Sequence, residues 1–573
     1  MSESVSDLNA TYAPVLPLLI QQFLFQRGFK EPEQIQKWMY PKMKDLADPF
    51  LLFGMTQAVE RLIRARLAQE KICLYADFDL DGTSGLALAH DGFKKLGFEN
   101  IVLCQPKRLS DGYGFHSHLV DQLHSQGVSL VMTIDVGITA FEACEHAKAL
   151  GIDVIITDHH QALEKLPVCH TLVNPNQVAD TSGLGYLCGA GVAFYLLRAL
   201  KRGFAQADIS HLDQLDLRSL LDCFCIATIT DMVPLIGDNR VLVQQGMIEL
   251  AKTKRAGLRA LLDALDLSGR PLSSQDVAIR FAPKLNALSR MENGILPIDL
   301  YLVDDSKKAQ EMVSTVLENN MARVSLQGEG ESEALMQLEK WPHTEFVYVS
   351  SEKFHRGVIG LIATKLSQKT NLPVFVGSKD ESGRVTGSAR LPAGMKKSLV
   401  RALESSSQVL QRFGGHDAAA GFEVHADDEM KMIDLLKSYF IASAVDSDVI
   451  QSQESSILSF DLKLPLHEVQ ESLMKWFDLL GPYGQSFEVP IFCVRDVVLR
   501  EVKTLKGGHL KLRVECTQSK KTLDALYFSP PADRVESLPD PGSLLDLCGE
   551  LQWNYFLGKK TIQLLLKDYQ AVK

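Results

Sequence analysis

From Ile72 to Val173 short apolar runs alternate with stretches whose apolar positions recur every three or four residues. ICLYADF, NIVLCQP, SLVMTID and DVIITD are short and rich in Val and Ile, as buried strands of a parallel sheet are. TSGLALAHDGFKKLGF and TAFEACEHAKALG carry a helical period and end near Gly97 and Gly151, residues suited to helix stops. Strand–helix–strand repetition predicts a doubly wound parallel sheet. Residues 184 to 340 read mainly as helix. DSKKAQEMVSTVLENNMARV predicts a long helix, which GEGESEALMQLEK continues or restarts. A second α/β pattern begins near Glu345 with EFVYVSS, GVIGLIATKL, LPVFVGS and RVTGSARL, and FGGHDAAAGF marks its end. From about Leu458, LKLRVE, TLDALYF, LLDLCGEL and TIQLLLKDY predict strands joined by polar turns.

Composition narrows the class. Of 573 residues, 46% are hydrophobic and 23% charged, which describes a soluble globular chain long enough for several domains. A net charge of −11 argues against a general polyanion binder. Residues 500 to 573 nonetheless carry 12 Lys or Arg against 9 Asp or Glu, a mildly basic end in an acidic chain. The ten cysteines show no CxxC spacing, and Cys73, Cys104, Cys223 and Cys225 lie in apolar runs. They read as reduced residues of a cytoplasmic protein. PVLPLLIQQFLF is broken by Gln21 and Gln22, too short to span a bilayer, and predicts an amphipathic helix.

The chemistry lies where the apolar elements stop. KICLYADFDLDG ends in Asp77, Asp79 and Asp81; SLVMTIDVG ends in Asp135; DVIITDHH ends in Asp158, His159 and His160; CFCIATITD ends in Asp231. Ligands of parallel sheets collect at the carboxyl ends of strands. Carboxylates crowded there repel one another unless cations sit between them. Three meanings compete for Asp77 to Gly82. An EF-hand fails because Leu88 stands where a bidentate Glu is required. Asp79-Leu80-Asp81-Gly82-Thr83 also fits the nucleophile motif of haloacid-dehalogenase-like phosphatases, but that reading leaves Asp158-His159-His160 without a role. The third meaning, a metal cradle with Gly82 in its turn, uses both. Mixed carboxylate and imidazole donors favour Mn2+ over Mg2+.

These residues resemble the DHH phosphoesterase family, whose signature includes Asp79 to Gly82, a strand-terminal Asp such as Asp135, Asp158-His159-His160 and a later Asp such as Asp231. Within it, PKRLSDGYGF, GAGVAFYL, ITDMVPL, RFAPKLNALSR, FHRGVIG, FGGHDAAAG and GPYGQSFEVPIF resemble the single-strand-specific 5′→3′ exonuclease branch, over about residues 50 to 573. The fold so implied is α/β: a doubly wound parallel-sheet DHH domain, a long connecting helix, a second α/β domain of DHHA1 type and a C-terminal OB-fold barrel. The domain plan is 1–50 as an N-terminal helical segment, 51–300 as the catalytic domain with a helical extension, 301–342 as connector, 343–450 as the DHHA1-like domain and 455–573 as the OB domain.

The resemblance also implies roles. One divalent ion, Mn2+ or Mg2+, would be held by Asp79 and Asp135 with Asp77 close by, and a second by Asp81, Asp135, His159 and Asp231. His160 would face the scissile phosphate, with Asp158 orienting the histidines. Ser388, Arg390 and Arg290 would hold a terminal phosphate, with Arg108 and His355 as further candidates and Tyr113 placed to stack on a base. Lys506, His509, Lys511, Arg513, Trp553, Tyr555, Phe556, Lys559 and Lys560 mix basic and aromatic types as a single-strand platform does. The implied partners are single-stranded DNA with a 5′ end, a single-strand-binding protein and a helicase, with no membrane partner and a monomeric chain. The role implied is DNA repair and recombination. Departures are Val136, Ser289 and Ala389, where the family usually has Asn or Cys, Gly and Gly; all metal ligands are kept. The rival readings are a short-oligonucleotide or 3′-phospho-nucleotide phosphatase, and a non-catalytic replication scaffold of the same fold.

Overall fold

The structure is a computed structural model that describes residues 16–207, 215–291, 294–445, 459–556 and 558–572. The chain forms two compact units, Asp48–Asp231 with Gln245–Gln451, and Met1–Ala47 with Met232–Gln244 and Ser452–Lys573.

In the first unit, β1 (Ile72–Ala76), β2 (Ile101–Cys104), β3 (Leu130–Ile134), β4 (Asp153–Thr157) and β5 (Thr171–Val173) form a parallel sheet ordered β2-β1-β3-β4-β5. Every residue of β1 and β3 is buried, which explains why these runs show no polar alternation. The four strands expected from the apolar runs are present, and β5 joins them as a three-residue strand too short to show a pattern. The helices Leu80–Lys95 and Phe141–Ala149 are followed by Gly97 at φ 80° and Gly151 at φ 74°, the left-handed stops their sequences announce.

One unbroken helix, Ser306–Leu338, answers the open question of the connector; Asp305 caps it by accepting from the Lys308 amide. It leads to a second sheet made of β6 (Val347–Ser351), β7 (Val374–Lys379), β8 (Arg384–Arg390), β9 (Leu410–Gly415) and β10 (Ala419–His425), ordered β6-β7-β8-β10-β9. Only β6 and β7 are parallel. FGGHDAAAGF does not end this pattern. It is the β9–β10 hairpin, and the helix Glu429–Val445 follows it.

The other unit is built on β11 (Leu462–Pro465), β12 (Phe492–Thr504), β13 (Leu510–Cys516), β14 (Thr522–Tyr527), β15 (Leu544–Phe556) and β16 (Lys559–Ala571). Pairing of β12 with both β13 and β15 closes five strands into a barrel. The N-terminal helices belong to the same core: Ile20, Phe23, Leu24, Ile35 and Met39 are buried in one cluster with Phe477, Val494, Leu512 and Leu547. Buried Arg240 ties this unit together. Its guanidinium lies 3.8 Å from the Trp38 ring and donates to the carbonyls of Trp38, Leu480, Gly481 and Pro482. Among the described residues no helix is long and apolar enough to cross a membrane.

Candidate metal centre and phosphate pocket

The carboxylates converge because each follows an element that is buried and fixed. Asp77 leaves β1, Asp135 leaves β3, and Asp158 leaves β4, all neighbours in one sheet. Asp79 caps the helix Leu80–Lys95, accepting from the amides of Asp81 at 2.9 Å and Gly82 at 3.0 Å. Gly82 is required by close approach: a Cβ there would lie 2.4 Å from the Asp77 carbonyl oxygen. Asp81 accepts from the amides of Gly189 at 2.6 Å and Ala190 at 2.8 Å, the first turn of the helix Gly189–Gln206, where the helix dipole favours an anion. Asp135 has φ 63°, so the chain turns sharply as it leaves β3. Gly189 makes room for it, since a Cβ at 189 would stand 2.4 Å from the Asp135 Cβ.

His159 Nε2 lies 3.2 Å from Asp135 Oδ1, 3.5 Å from Asp231 Oδ2 and 3.7 Å from Asp81 Oδ2. Three groups have ligand atoms mutually within 4.8 Å: Asp77, Asp79 and Asp135; Asp81, His159 and Asp231; Asp135, His159 and His160. Asp77 Oδ1, Asp135 Oδ1, His159 Nε2 and Asp231 Oδ2 are buried without a hydrogen-bond partner. Orphaned acceptors of one sign cannot be stable alone, and a divalent cation bound by oxygen and imidazole nitrogen supplies what they lack. The donor set fits a metal.

Electrostatics agree. Burial, then the neighbouring Asp79, pushes Asp77 up to about 8. Burial, then Asp81 and Asp79, pushes Asp231 up to about 9. Asp135 is raised well above the carboxylate range by burial and by Asp81, Asp79 and Asp231. Asp81 is raised because burial outweighs the nearby His159. Burial also holds His159 below its ordinary value, against those carboxylates, so its ring is neutral and ready to ligate.

His160 is built differently. Its Nδ1 lies 2.8 Å from Asp158 Oδ1, and Asp158 is further satisfied by the amides of Ile138, His159 and His160. Burial opposes charge on both, yet their pairing outweighs it: Asp158 sits below the usual range and His160 is pushed up to about 9. Tyr113 Oη is 3.4 Å from His160 Nδ1. His416, at the tip of the β9–β10 hairpin, stacks on His160 with centroids 5.6 Å apart and planes within 3°. The motif FGGHDAAAG was visible in the sequence, but nothing in it showed that its histidine meets His160.

Beside the cradle lies a cluster of cations. Arg290 Nη1 donates to the Gly357 carbonyl at 3.1 Å, and Arg390 Nη1 donates to Ser388 Oγ at 2.9 Å. Burial, followed by Arg108, Arg323 and Arg390, brings Arg290 down to about 9. The Arg108 guanidinium lies 4.1 Å from the Phe78 ring centre. His355 Nδ1 accepts from the Gly357 amide at 3.1 Å. Ala389 is fully buried between β7 and β10, so its methyl points into the sheet core rather than the pocket. Val136 is likewise buried in the core beneath the parallel sheet.

Lys511 and Arg513 lie on β13, Trp553 on β15, and Lys559 and Lys560 on β16. Lys511 and Arg513 both reach Asp524, at 2.8 and 2.9 Å, so one carboxylate offsets part of their charge. Trp553 Nε1 donates to Asp478, and Lys560 Nζ lies 3.6 Å from the centre of the indole. Lys559 is exposed on β16, and the side chain of Phe556 lies outside the described residues.

Fold and cradle together define a metal-dependent hydrolase of the DHH class. A DHH family N-terminal domain model matches residues 71–228, a DHHA1 domain model residues 343–442 and a RecJ OB domain model residues 460–568. The chain belongs to the RecJ family. It is 30% identical over 573 residues to the single-stranded-DNA-specific exonuclease RecJ of Dickeya dadantii, covering 96% of each chain. It is 30% identical over 555 residues to the protein of that name from Bacillus subtilis, covering 96% of this chain and 67% of the other. The crystal structure of RecJ in complex with Mn2+ from Thermus thermophilus superposes with a TM-score of 0.77 at 25% identity, over 97% of this chain and 76% of that one.

Proposed function

We propose that the protein is a single-strand-specific exonuclease that hydrolyses DNA from the 5′ end and releases mononucleotides. The observation that carries this reading is the set of buried oxygen and nitrogen donors left without partners at one end of the parallel sheet. Asp77, Asp79 and Asp135 would hold one divalent ion, and Asp81, Asp135, His159 and Asp231 a second, with Asp135 common to both. Two such ions, Mn2+ or Mg2+, supply an acidified water and neutralise charge on the phosphoryl oxygens.

The protein's own groups do the rest. Asp158 accepts from His160 Nδ1 and so fixes the tautomer and the orientation of the ring beside the cradle, from where it would donate to a phosphoryl oxygen. Arg290, Arg390 and Ser388 grip the terminal phosphate of the strand and set its distance from the cradle, with Arg108 and His355 at the rim. Tyr113, 47% exposed, offers its ring to a base. Lys511, Arg513, Trp553 and Lys559 hold the strand further along the barrel. The division into 1–50, 51–300, 301–342, 343–450 and 455–573 is the working domain plan. The setting is cytoplasmic DNA repair and recombination by a monomer, with a single-strand-binding protein and a helicase supplying the strand.

A time course on one oligonucleotide labelled at either end tests this. The 5′ label leaves at once as a mononucleotide, while the 3′-labelled strand shortens step by step. Early loss of the 3′ label, or rapid digestion of blunt duplex, would refute the reading.

A further inference from the structure

The cation cluster extends past the residues that the terminal phosphate needs. Lys284, Arg290, Arg323 and Arg390 form no ion pair with a carboxylate among the described residues. Arg323, on the long helix, donates to Gln327 Oε1 and Asn320 Oδ1 at 2.8 Å each, and its buried Nε has no hydrogen-bond partner. Gln327 in turn donates to Glu331, which is already paired with Lys365.

The placement of Arg323 follows from helix geometry. Gly330, seven residues on and so about two turns along the same face, packs on Phe354 and Ile362. Arg323 therefore lies on the helix face that Gly330 turns toward Phe354 and Ile362, and Arg290 reaches the nearby Gly357. Lys284 and Arg290 stand six residues, about 9 Å, apart on the helix Ala282–Met291, which packs along the long helix that carries Arg323. Neither Arg323 nor Lys284 is moved by a cradle carboxylate; Lys284 is held down by burial, then by Arg323 and Arg280. Of these cations Arg290 is the one a cradle carboxylate acts on, which sets it nearer the cradle than Arg323 and Lys284. With the scissile phosphate at the cradle and the terminal phosphate at Arg290, Arg323 and Lys284 lie beyond the 5′ end, where only further phosphates of that end can reach.

We propose that Arg323 and Lys284 form a second anion subsite, contiguous with the terminal-phosphate pocket, that receives the additional phosphates of a 5′-polyphosphorylated strand. This rests on the 5′-end reading above and adds a substrate class to it: strands whose first nucleotide still carries its triphosphate. Half-buried, uncompensated cations recover most when a multivalent anion arrives, because each new oxygen removes repulsion as well as forming a charge-assisted bond.

The test uses the full chain in EDTA and a 3′-fluorescein oligonucleotide of one sequence bearing a 5′-hydroxyl, 5′-monophosphate or 5′-triphosphate. Fluorescence anisotropy is expected to give a Kd about tenfold lower for the triphosphate than for the monophosphate, one charge-assisted contact's worth. Arg323→Gln and Lys284→Gln should each bring that ratio toward one, while Arg323→Lys keeps part of it. Equal or weaker binding of the triphosphate by the unaltered protein overturns the proposal, as does an unchanged ratio in a folded Arg323→Gln. Failure of the labelled time course sinks the exonuclease reading without touching this ratio; failure of the ratio sinks only the subsite.

Discussion

Gly189→Ala is a one-methyl perturbation whose outcome the cradle decides. On a helix surface the change gains up to about 1 kcal/mol of helix propensity. Here the new Cβ would stand 2.4 Å from the Asp135 Cβ, 2.6 Å from its Oδ1 and 2.7 Å from its Cα. The Cα and Cβ are fixed by the backbone of a residue held at φ 63°, so turning the carboxylate aside does not relieve the clash. Relief demands a shift of roughly 1 Å in Asp135 or in the first turn of the helix, and overpacking of this kind costs about 1–3 kcal/mol. The same movement stretches the Gly189 amide bond to Asp81. Because Asp135 borders all the other cradle ligands, a displacement of about 1 Å is expected to lower kcat about 100-fold. The melting midpoint should fall only a few degrees. Initial rates on 5′-labelled single-stranded DNA and a thermal melt measure both. Gly191→Ala, two residues on, is the control: its nearest neighbour would be Leu187 Cβ at 3.3 Å, and it should leave rate and melting nearly unchanged. A Gly189→Ala protein with full rate would refute the close-approach argument.

Three other outcomes follow from the same geometry. Asp77 at about 8 and Asp231 at about 9 bind protons in the folded, metal-free chain that the unfolded chain, near 3.8, has lost. Stability in EDTA therefore falls as pH rises from about 4 through 9, since the folded state holds the extra protons. Mn2+ or Mg2+ should flatten that slope; a flat profile in EDTA melts from pH 5 to 8 would contradict it. Asp135→Asn should abolish hydrolysis yet leave the metal-free melt equal or higher, because it replaces a buried carboxyl whose ionisation burial and the neighbouring carboxylates oppose; retained turnover would mean another residue joins the two ligand groups. Arg240→Met should cost at least about 3 kcal/mol by stranding four carbonyl acceptors, read as an early unfolding step in a denaturant titration followed by Trp fluorescence.

Much of the catalytic half was legible in the chain. Strand length, the missing polar alternation and the glycines after the helices are local signals, and they placed Asp77, Asp135 and Asp158 at strand ends before any coordinates. The carboxyl ends of neighbouring parallel strands lie side by side, so carboxylates placed there meet at one edge, where ligands of such sheets collect. Other features carry no local mark. Gly189 looks like any small residue opening a helix, and its need shows only when Asp135, more than fifty residues earlier, arrives 2.4 Å from its missing Cβ. His416 meets His160 because a hairpin in one sheet reaches an element of another. The N-terminal helices share a core with a barrel more than four hundred residues away, which no periodicity encodes. Lys511, Arg513 and Trp553 had the composition of a nucleic-acid platform, but which carboxylate each faces is set by strand register. Propensity and burial pattern act over about ten residues and so can be read along the chain. Packing between distant segments depends on the path of the whole backbone, and only the tertiary structure decides it.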